Sequence, residues 1–240
     1  MIDLTFVVLS LAVFSGALVS GLAGFAFSAV AGAILLHVRP ATEAVPLMMA
    51  CSLAVQGTSL VALRSSMNWK GSLPLIAGGV LGIPPAVYLL HTIDAWTFRV
   101  GFGVLVASYA GYMLFRPAVR AVVTSRVREA IVGFGGGLIG GLTAMPGALP
   151  TIWCDLQGMG KQPQRGLVQP FIAVMQIAAI AVMLAQRSFS FALLWELAVC
   201  LPALAAGTAL GILMFGRVND SLFRRIVLAV LFFSGLGLVL

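Results

Sequence analysis

Long apolar runs separated by short polar or basic joints dominate the chain. The first run covers residues 2–20. Residues 21–24, Gly-Leu-Ala-Gly, interrupt it, and 25–36 continue as a shorter run that His37-Val38-Arg39-Pro40 ends. Residues 44–63 form the next run, 71–90 and 96–115 the following two, with Thr92-Ile93-Asp94 reading as a helix cap. A polar linker follows. Residues 130–142 then lead into a break at 145–150, and 151–159 form a short segment. Runs at 167–185, 189–215 and 222–240 complete the chain, with Asn219-Asp220 as a second cap. The long runs match the ~20 residues a helix needs to cross a ~30 Å hydrocarbon core, and exceed the roughly ten residues of a barrel strand.

The densest interruption is Gly133 to Pro150, where glycines and prolines crowd an apolar sequence. Glycine loosens the backbone, and proline removes a donor and clashes with the preceding turn. Inside lipid an unpaired backbone group costs several kcal/mol, so a broken helix at membrane depth survives only where protein buries it or it lines a cavity. A quieter interruption, Gly21 to Ser28, sits in the first half. Gly/Pro-interrupted segments at corresponding positions of two halves point to a transporter's binding site.

The halves echo each other further. Ala44-Val45-Pro46 resembles Val168-Gln169-Pro170, and Asp94 to Phe98-Arg99 has the spacing of Asn219 to Phe223-Arg224. Gly78-x-x-x-Gly82 and Gly207-x-x-x-Gly211 are small-residue spacings that let helices pack closely. The shared order predicts an internal duplication: residues 1–116 as one transmembrane repeat, 117–128 as a cytoplasmic linker, 129–240 as the second.

Charge sets the expected topology. If each interrupted segment crossed once, the 14 Lys and Arg residues would divide evenly between the two sides. If each turned back as a hairpin, one side would hold Arg64, Lys70, Arg116, Arg120, Arg126, Arg128, Lys161, Arg165, Arg217, Arg224 and Arg225. The other would hold only Arg39, Arg99 and Arg187, an asymmetry that fits a cytoplasmic face. The interrupted segments would also need roughly 45–50 Å as straight helix, too long for one crossing. Hairpins, both termini outside and inverted repeats are therefore expected. The fold class is an all-α polytopic membrane protein with about eight full spans plus two short segments, or ten segments.

The composition agrees: 61% of the 240 residues are hydrophobic and 9% charged, against about 25% charged in soluble chains. The net charge of +7 is the positive-inside rule at work, and nucleic acid is not an expected partner. Residues 1–20 lack a basic n-region and a clear cleavage site, so a retained first helix is expected. Cys51, Cys154 and Cys200 stand alone in apolar runs, and His37 and His91 sit at helix ends. No metal-ligand spacing appears, no cofactor is expected, and buried apolar cysteine is the reading. No Ser–His–acid set, His cluster or paired carboxylate supports an enzyme.

At this point the residues resemble a known family. Gly137-Leu138-Ile139-Gly140-Gly141-Leu142-Thr143-Ala144-Met145-Pro146-Gly147-Ala148-Leu149-Pro150, then Gly158-Met159-Gly160-Lys161 and Arg165, resembles the second-half signature of the sulfite exporter TauE/SafE family. There a Gly-rich helix runs into a Gly-Pro-Pro-type turn, a short helix and a Gly-x-x-Lys loop. Gly21-Leu22-Ala23-Gly24-Phe25 resembles the first-half counterpart. This chain departs in Phe25-Ala26-Phe27 and in the Met145-Pro146-Gly147 turn. The resemblance covers nearly the whole chain. It implies a bacterial inner-membrane transporter, an exporter of small anions such as sulfite, sulfonates, sulfoacetate or other organic anions.

The expected mechanism is anion capture at half-helix N-termini, where free N–H groups and the helix dipole favour negative charge. The two interruptions would face each other across a pseudo-twofold axis in an alternating-access cycle. Candidate substrate contacts are Gly24, Phe25 and Ser28 in the first interruption, and Thr143, Met145, Pro146, Gly147 and Thr151 in the second. The amides Gln56, Gln169 and Gln176 join them as polar groups in apolar runs. Asp155 and Glu196 are the carboxylates available for proton or ion coupling. The competing reading, favoured by the residues, has Asp155 neutralise Lys161 and Glu196 snorkel or pair with Arg187. Trp69, Trp96, Trp153 and Trp195 read as interfacial anchors. The partners are then a small anion, the lipid bilayer and, as an open alternative, a second copy in a homodimer. A channel is the alternative function, and a subunit of a larger membrane complex another.

Overall fold

A computed structural model describes residues 4–23, 26–63, 67–115, 124–186, 191–215 and 220–239. All the regular structure among them is helical: α1 (Leu4–Ala23), α2 (Phe27–Leu35), α3 (Ala41–Leu63), α4 (Trp69–Thr92), α5 (Ala95–Phe115), α6 (Arg126–Thr143), α7 (Ala148–Leu156), α8 (Lys161–Ala185), α9 (Phe191–Phe215) and α10 (Asp220–Val239). Lengths of 20, 9, 23, 24 and 21 residues in α1–α5 are followed by 18, 9, 25, 25 and 20 in α6–α10.

Among the described residues, Trp69–Thr92, Ala95–Phe115, Gln162–Ala185 and Leu193–Met214 are long and apolar enough to cross a membrane, and Phe6–Gly21 is a shorter apolar helix. Their outward faces are apolar too. Leu73, Leu81 and Tyr88 on α4 and Ile212 and Leu213 on α9 are exposed, a surface that lipid tolerates and water does not. The chain is a multi-pass helical membrane protein.

The helices form two compact units, residues 1–55 with 93–117 and 189–240, and residues 56–92 with 118–188. Each takes helices from both halves of the sequence. In the first unit, α9 packs on α1, α10 on α5, and α2 on α1 and α10. Its centre holds Leu9, Leu35, Met48, Phe102 and Leu231. In the second, α4 packs on α6 and α8, and α7 on α6 and α8, around Leu75, Ile83, Phe171, Met175 and Met183. Advancing every helix by five maps the α4–α6 pair of the second unit onto the α9–α1 pair of the first.

Backbone contact at glycine makes these pairs. A Cβ on Gly78, Gly82, Gly133 or Gly137 would strike the Ala130, Phe134, Leu75 or Gly79 carbonyl across the α4–α6 seam. In the first unit, a Cβ on Gly207 would lie 2.5 Å from the Phe14 carbonyl, and one on Gly21 2.9 Å from that of Thr208. Gly103 and Gly235 repeat the arrangement between α5 and α10. The glycine spacings on α4 and α9 therefore mark close seams. They also explain why α6, rich in glycine, stays helical. Interhelical packing replaces the propensity that glycine lacks, so the interruption falls only after Thr143. For the same reason Gly21 lies inside α1 and not at its end.

Helix ends follow local chemistry. Asp94 Oδ1 accepts from the N–H groups of Trp96 and Thr97, at 3.1 and 2.9 Å, capping α5. Ser125 Oγ accepts the Arg128 N–H at 3.3 Å, so α6 starts at Arg126, inside the stretch expected to be linker. The cap expected at Asn219 lies outside the described residues.

Two expectations follow. Gly137→Ala places a Cβ against the Gly79 carbonyl and costs about 1–3 kcal/mol. Gly101→Ala, with nothing within 4 Å of its Cβ, costs none, and thermal unfolding in detergent distinguishes the two. The Thr97 hydroxyl and then the Thr97 N–H hold the Asp94 carboxyl below its ordinary value. A lowered folded value means the cap stabilises above the unfolded carboxylate range, near about pH 4, and is lost as pH falls through the folded value. The melting-temperature gap between wild type and Asp94→Ala should therefore close in acid.

Candidate functional site

Both short helices turn back on the helix before them. A Cβ on Gly16 would lie 2.9 Å from Phe27 O and 3.2 Å from Ala31 Cβ, so α2 runs back along α1. A Cβ on Gly140 would lie 2.6 Å from Pro146 Cβ, one on Gly136 3.1 Å from Pro150 Cδ, and one on Gly135 2.7 Å from Leu149 Cδ2. Residues this far apart in sequence meet only in a hairpin, here centred near Thr143. Nine residues of helix rise about 13.5 Å, less than half a bilayer core.

The turns share an uncommon backbone. Among the described residues, Ala26 and Ala144 are the non-glycines with positive φ, at 76° and 57°. Ala26 precedes α2 and Ala144 follows α6, so each hairpin carries one left-handed alanine. An L-residue there costs roughly 1–2 kcal/mol, and such strain collects at functional sites. Gly24 and Phe25 lie outside the described residues.

The second turn is described in full. Ala144 N–H donates to Gly140 O at 2.8 Å, closing α6. Pro146 and Pro150 have no N–H to give. Ala148 N–H donates to Met145 O at 3.3 Å, and Thr151 N–H to Gly147 O at 3.0 Å. Among the described residues, no acceptor takes the N–H groups of Met145, Gly147 and Leu149. Three donors thus remain at alternate positions around the α7 N-terminus, in a turn where Met145 and Pro146 are buried. The first intrahelical bonds of any helix leave such donors, and the dipole adds partial positive charge.

The turn rests on α8. A Cβ on Gly147 would lie 2.6 Å from Ile172 Cδ1 and 3.7 Å from Val168 Cγ1. Phe171, fully buried, reaches Gly79 and Gly136. Gln169 and Gln176, 4% and 2% exposed, lie on the strip of α8 beside Ile172, nearly two helical turns apart. Both residues make further interactions, and their Oε1 atoms accept no hydrogen bond. The geometry therefore gathers Met145, Pro146, Gly147, Gln169 and Gln176 into one region of the second unit.

Other expected contacts stand differently. Thr143 is buried, and its hydroxyl donates to Ile139 O at 2.7 Å, so its proton is spent on its own helix. Thr151 lies in α7 and gives its carbonyl to Gln164 Nε2 at 3.0 Å. Gln56 is buried on α3. Ser28, in the first turn of α2, is buried in the first unit.

The carboxylates have partners that sequence did not suggest. Arg39 donates to Glu196 Oε1 and Glu43 Oε2, each at 2.7 Å, so Glu196 braces the α2–α3 joint. Asp155 Oδ1 accepts from Gln164 Nε2 at 3.1 Å. Arg187 and the Lys161 side chain lie outside what is described. Gln164, one helical turn before Val168, ties α7 to α8 through Thr151 and Asp155, and no motif announces it. Pro170 does announce another tie. It cannot donate to Gly166 O, which instead accepts the Asn68 N–H at 2.8 Å, while Ser72 Oγ donates to Leu167 O at 2.6 Å.

The α7 C-terminus shows how rigidly the short helix is ended. Gly158, at φ 68°, donates to Asp155 O at 2.9 Å, and Met159 N–H to Cys154 O at 3.1 Å, a Schellman closure. Cys51, Cys154 and Cys200 are buried free thiols, and no His/Cys/Asp/Glu cluster among the described residues could hold a metal.

Paired hairpins that end in half-length helices are the arrangement from which transporters build binding sites. Comparison with known families agrees: the model described as sulfite exporter TauE/SafE matches residues 8–238, nearly the whole chain, which therefore belongs to that family. Its members are membrane transporters, not enzymes. No curated protein and no solved structure matches the chain.

At the turn itself, Ala144→Val should destabilise the protein by about 1–2 kcal/mol relative to Ala144→Gly, because a β-branched side chain is least tolerated at positive φ. Chemical denaturation of the two variants measures the difference.

Proposed function

We propose that the chain is a secondary transporter that exports a small sulfur-containing or organic anion, such as sulfite, a sulfonate or sulfoacetate, by alternating access. It would reside in the bacterial inner membrane with both termini periplasmic. The observation that supports this most is the set of Met145, Gly147 and Leu149 N–H groups that find no acceptor among the described residues, in a turn where Met145 and Pro146 are buried. In lipid such donors are costly unless something accepts from them, and an oxyanion offers several acceptor oxygens with the charge the α7 dipole favours. Gly147 lets the backbone lie against Ile172 and leaves the donors uncovered. The turn before α2, with its own left-handed alanine, supplies a second N-terminus of this kind. Gln169 and Gln176 add neutral polar groups beside the turn, which can orient an anion without fixing a countercharge.

The family match supports the same reading, since the family is named for sulfite export. Coupling to a proton or another ion belongs to the proposal. So does a homodimer.

The test uses the purified chain. Sulfite, sulfoacetate or another small anion should raise its melting temperature, by about 2.7 kcal/mol of apparent stability at a hundredfold excess over Kd. Gly147→Leu, which drives a side chain into Ile172 and over the donors, should remove that shift. In vesicles holding this chain alone, the same anion should be transported, with saturation. Unsaturable flux would point to a channel, and no flux to a subunit of a larger complex.

A further inference from the structure

We infer that the Trp153 indole N–H is a further anion donor of this site, one that selects ligands presenting an oxyanion oxygen beside the α7 N-terminus. The inference rests on the anion reading of the same turn and names a side chain for it. Sequence gives all four tryptophans the same role, but the structure does not. Trp69, Trp96 and Trp195 are exposed, at 50%, 66% and 61%, and lie within the first turns of α4, α5 and α9, as interfacial anchors do. Trp153 alone sits in a half-length helix, is only partly exposed, and buries its Nε1 completely with no acceptor.

The burial matters because the indole N–H is a donor and nothing else. An unmade hydrogen bond there costs about 1–3 kcal/mol, so a buried indole N–H normally finds a partner. Among the described residues, the buried side-chain donors without one are Trp153 Nε1 and Arg99 Nε, and Arg99 belongs to the other unit.

Position on α7 supplies the direction. At 100° per residue, Trp153 lies between Leu149 and Pro150 on the helix surface, the two residues that meet Gly135 and Gly136 of α6. Side chains on a helix lean toward its N-terminus, so the indole leans back over the turn that carries the Leu149 N–H. An oxyanion held by Met145, Gly147 and Leu149 would offer a further oxygen to it. A donor-only group rejects ammonium ends and favours sulfite, sulfonate or carboxylate.

The experiment measures two quantities in Trp153→Phe, which keeps a ring and removes the N–H. The first is the melting temperature without anion. It should fall only by the packing of the lost ring, which shows that the variant is folded. The second is the apparent Kd for sulfite and for methanesulfonate from thermal-shift titration, which should weaken roughly tenfold or more, since bonds to charged groups are the strong ones. Trp195→Phe should change neither. In a protein carrying Trp69→Phe, Trp96→Phe and Trp195→Phe, sulfite should shift the emission of the remaining indole. If wild type binds both anions and Trp153→Phe binds them equally, or the single-tryptophan emission stays fixed, the indole assignment is wrong while the site stands. If wild type binds neither anion, the anion reading and this inference fail together.

Discussion

Backbone hydrogen bonding is the constraint from which the rest of this structure follows. Water is absent from the bilayer core, so every N–H and C=O must find a partner within protein or ligand. Eight helices meet that demand along most of their length. The turn before α7 does not, because it reverses the chain through the left-handed Ala144. The second turn also holds two prolines that cannot donate and three N–H groups that no described residue accepts. A protein tolerates such a turn only if its surroundings hold it in place. Here α6 lies against Pro146 and Pro150, and α8 against Gly147.

The surroundings are built by removing side chains. Without water, helices gain little from hydrophobic burial against one another, and close backbone approach takes its place. The α4–α6, α1–α9 and α5–α10 seams each put a glycine against a facing carbonyl. Proline contributes in the opposite way, by freeing an acceptor. Pro170 leaves Gly166 O open, Asn68 fills it, and the start of α4 is tied to the first turns of α8, next to Val168 and Ile172, which support the turn. Strain at Ala144 is thus paired with stiffness on every side of it.

Much of this was legible in the chain. Apolar runs gave the helices to within a few residues, and the glycine spacings on α4 and α9 gave their seams. The hairpins followed from the distribution of Arg and Lys. The break was legible where it consists of backbone: the turn at Met145, Pro146 and Gly147 could be placed because only Gly and Pro interrupt an apolar helix so sharply. Side chains were harder. Thr143 read as a donor, but its hydroxyl bonds its own helix, a choice that sequence does not encode. Glu196 finds Arg39, more than a hundred residues away, and Gln164 finds Asp155 across a loop. Both are pairings of tertiary geometry. Trp153 looked like its three counterparts because composition cannot show which indole is covered.

The tie between helix starts occurs twice with different chemistry. In the second unit, α8 and α4 are joined by neutral bonds, Asn68 N–H to Gly166 O and Ser72 Oγ to Leu167 O. Under the five-helix shift, α8 corresponds to α3 and α4 to α9. There the joint is ionic: Arg39 holds Glu43 at the start of α3 and Glu196 near the start of α9. The side chains of Arg39 and Glu196 are 26% and 13% exposed, so the pair is screened only in part and keeps more of its strength than a surface pair. A neutral joint of this kind barely responds to ionic strength, whereas an ionic one responds and requires both charges. The same architectural demand, holding the helix after each hairpin in register, is therefore met in one unit by the Gly166 carbonyl that Pro170 frees and in the other by a shared guanidinium. The first unit's joint is held by charge, and the second unit's by neutral bonds to main-chain carbonyls.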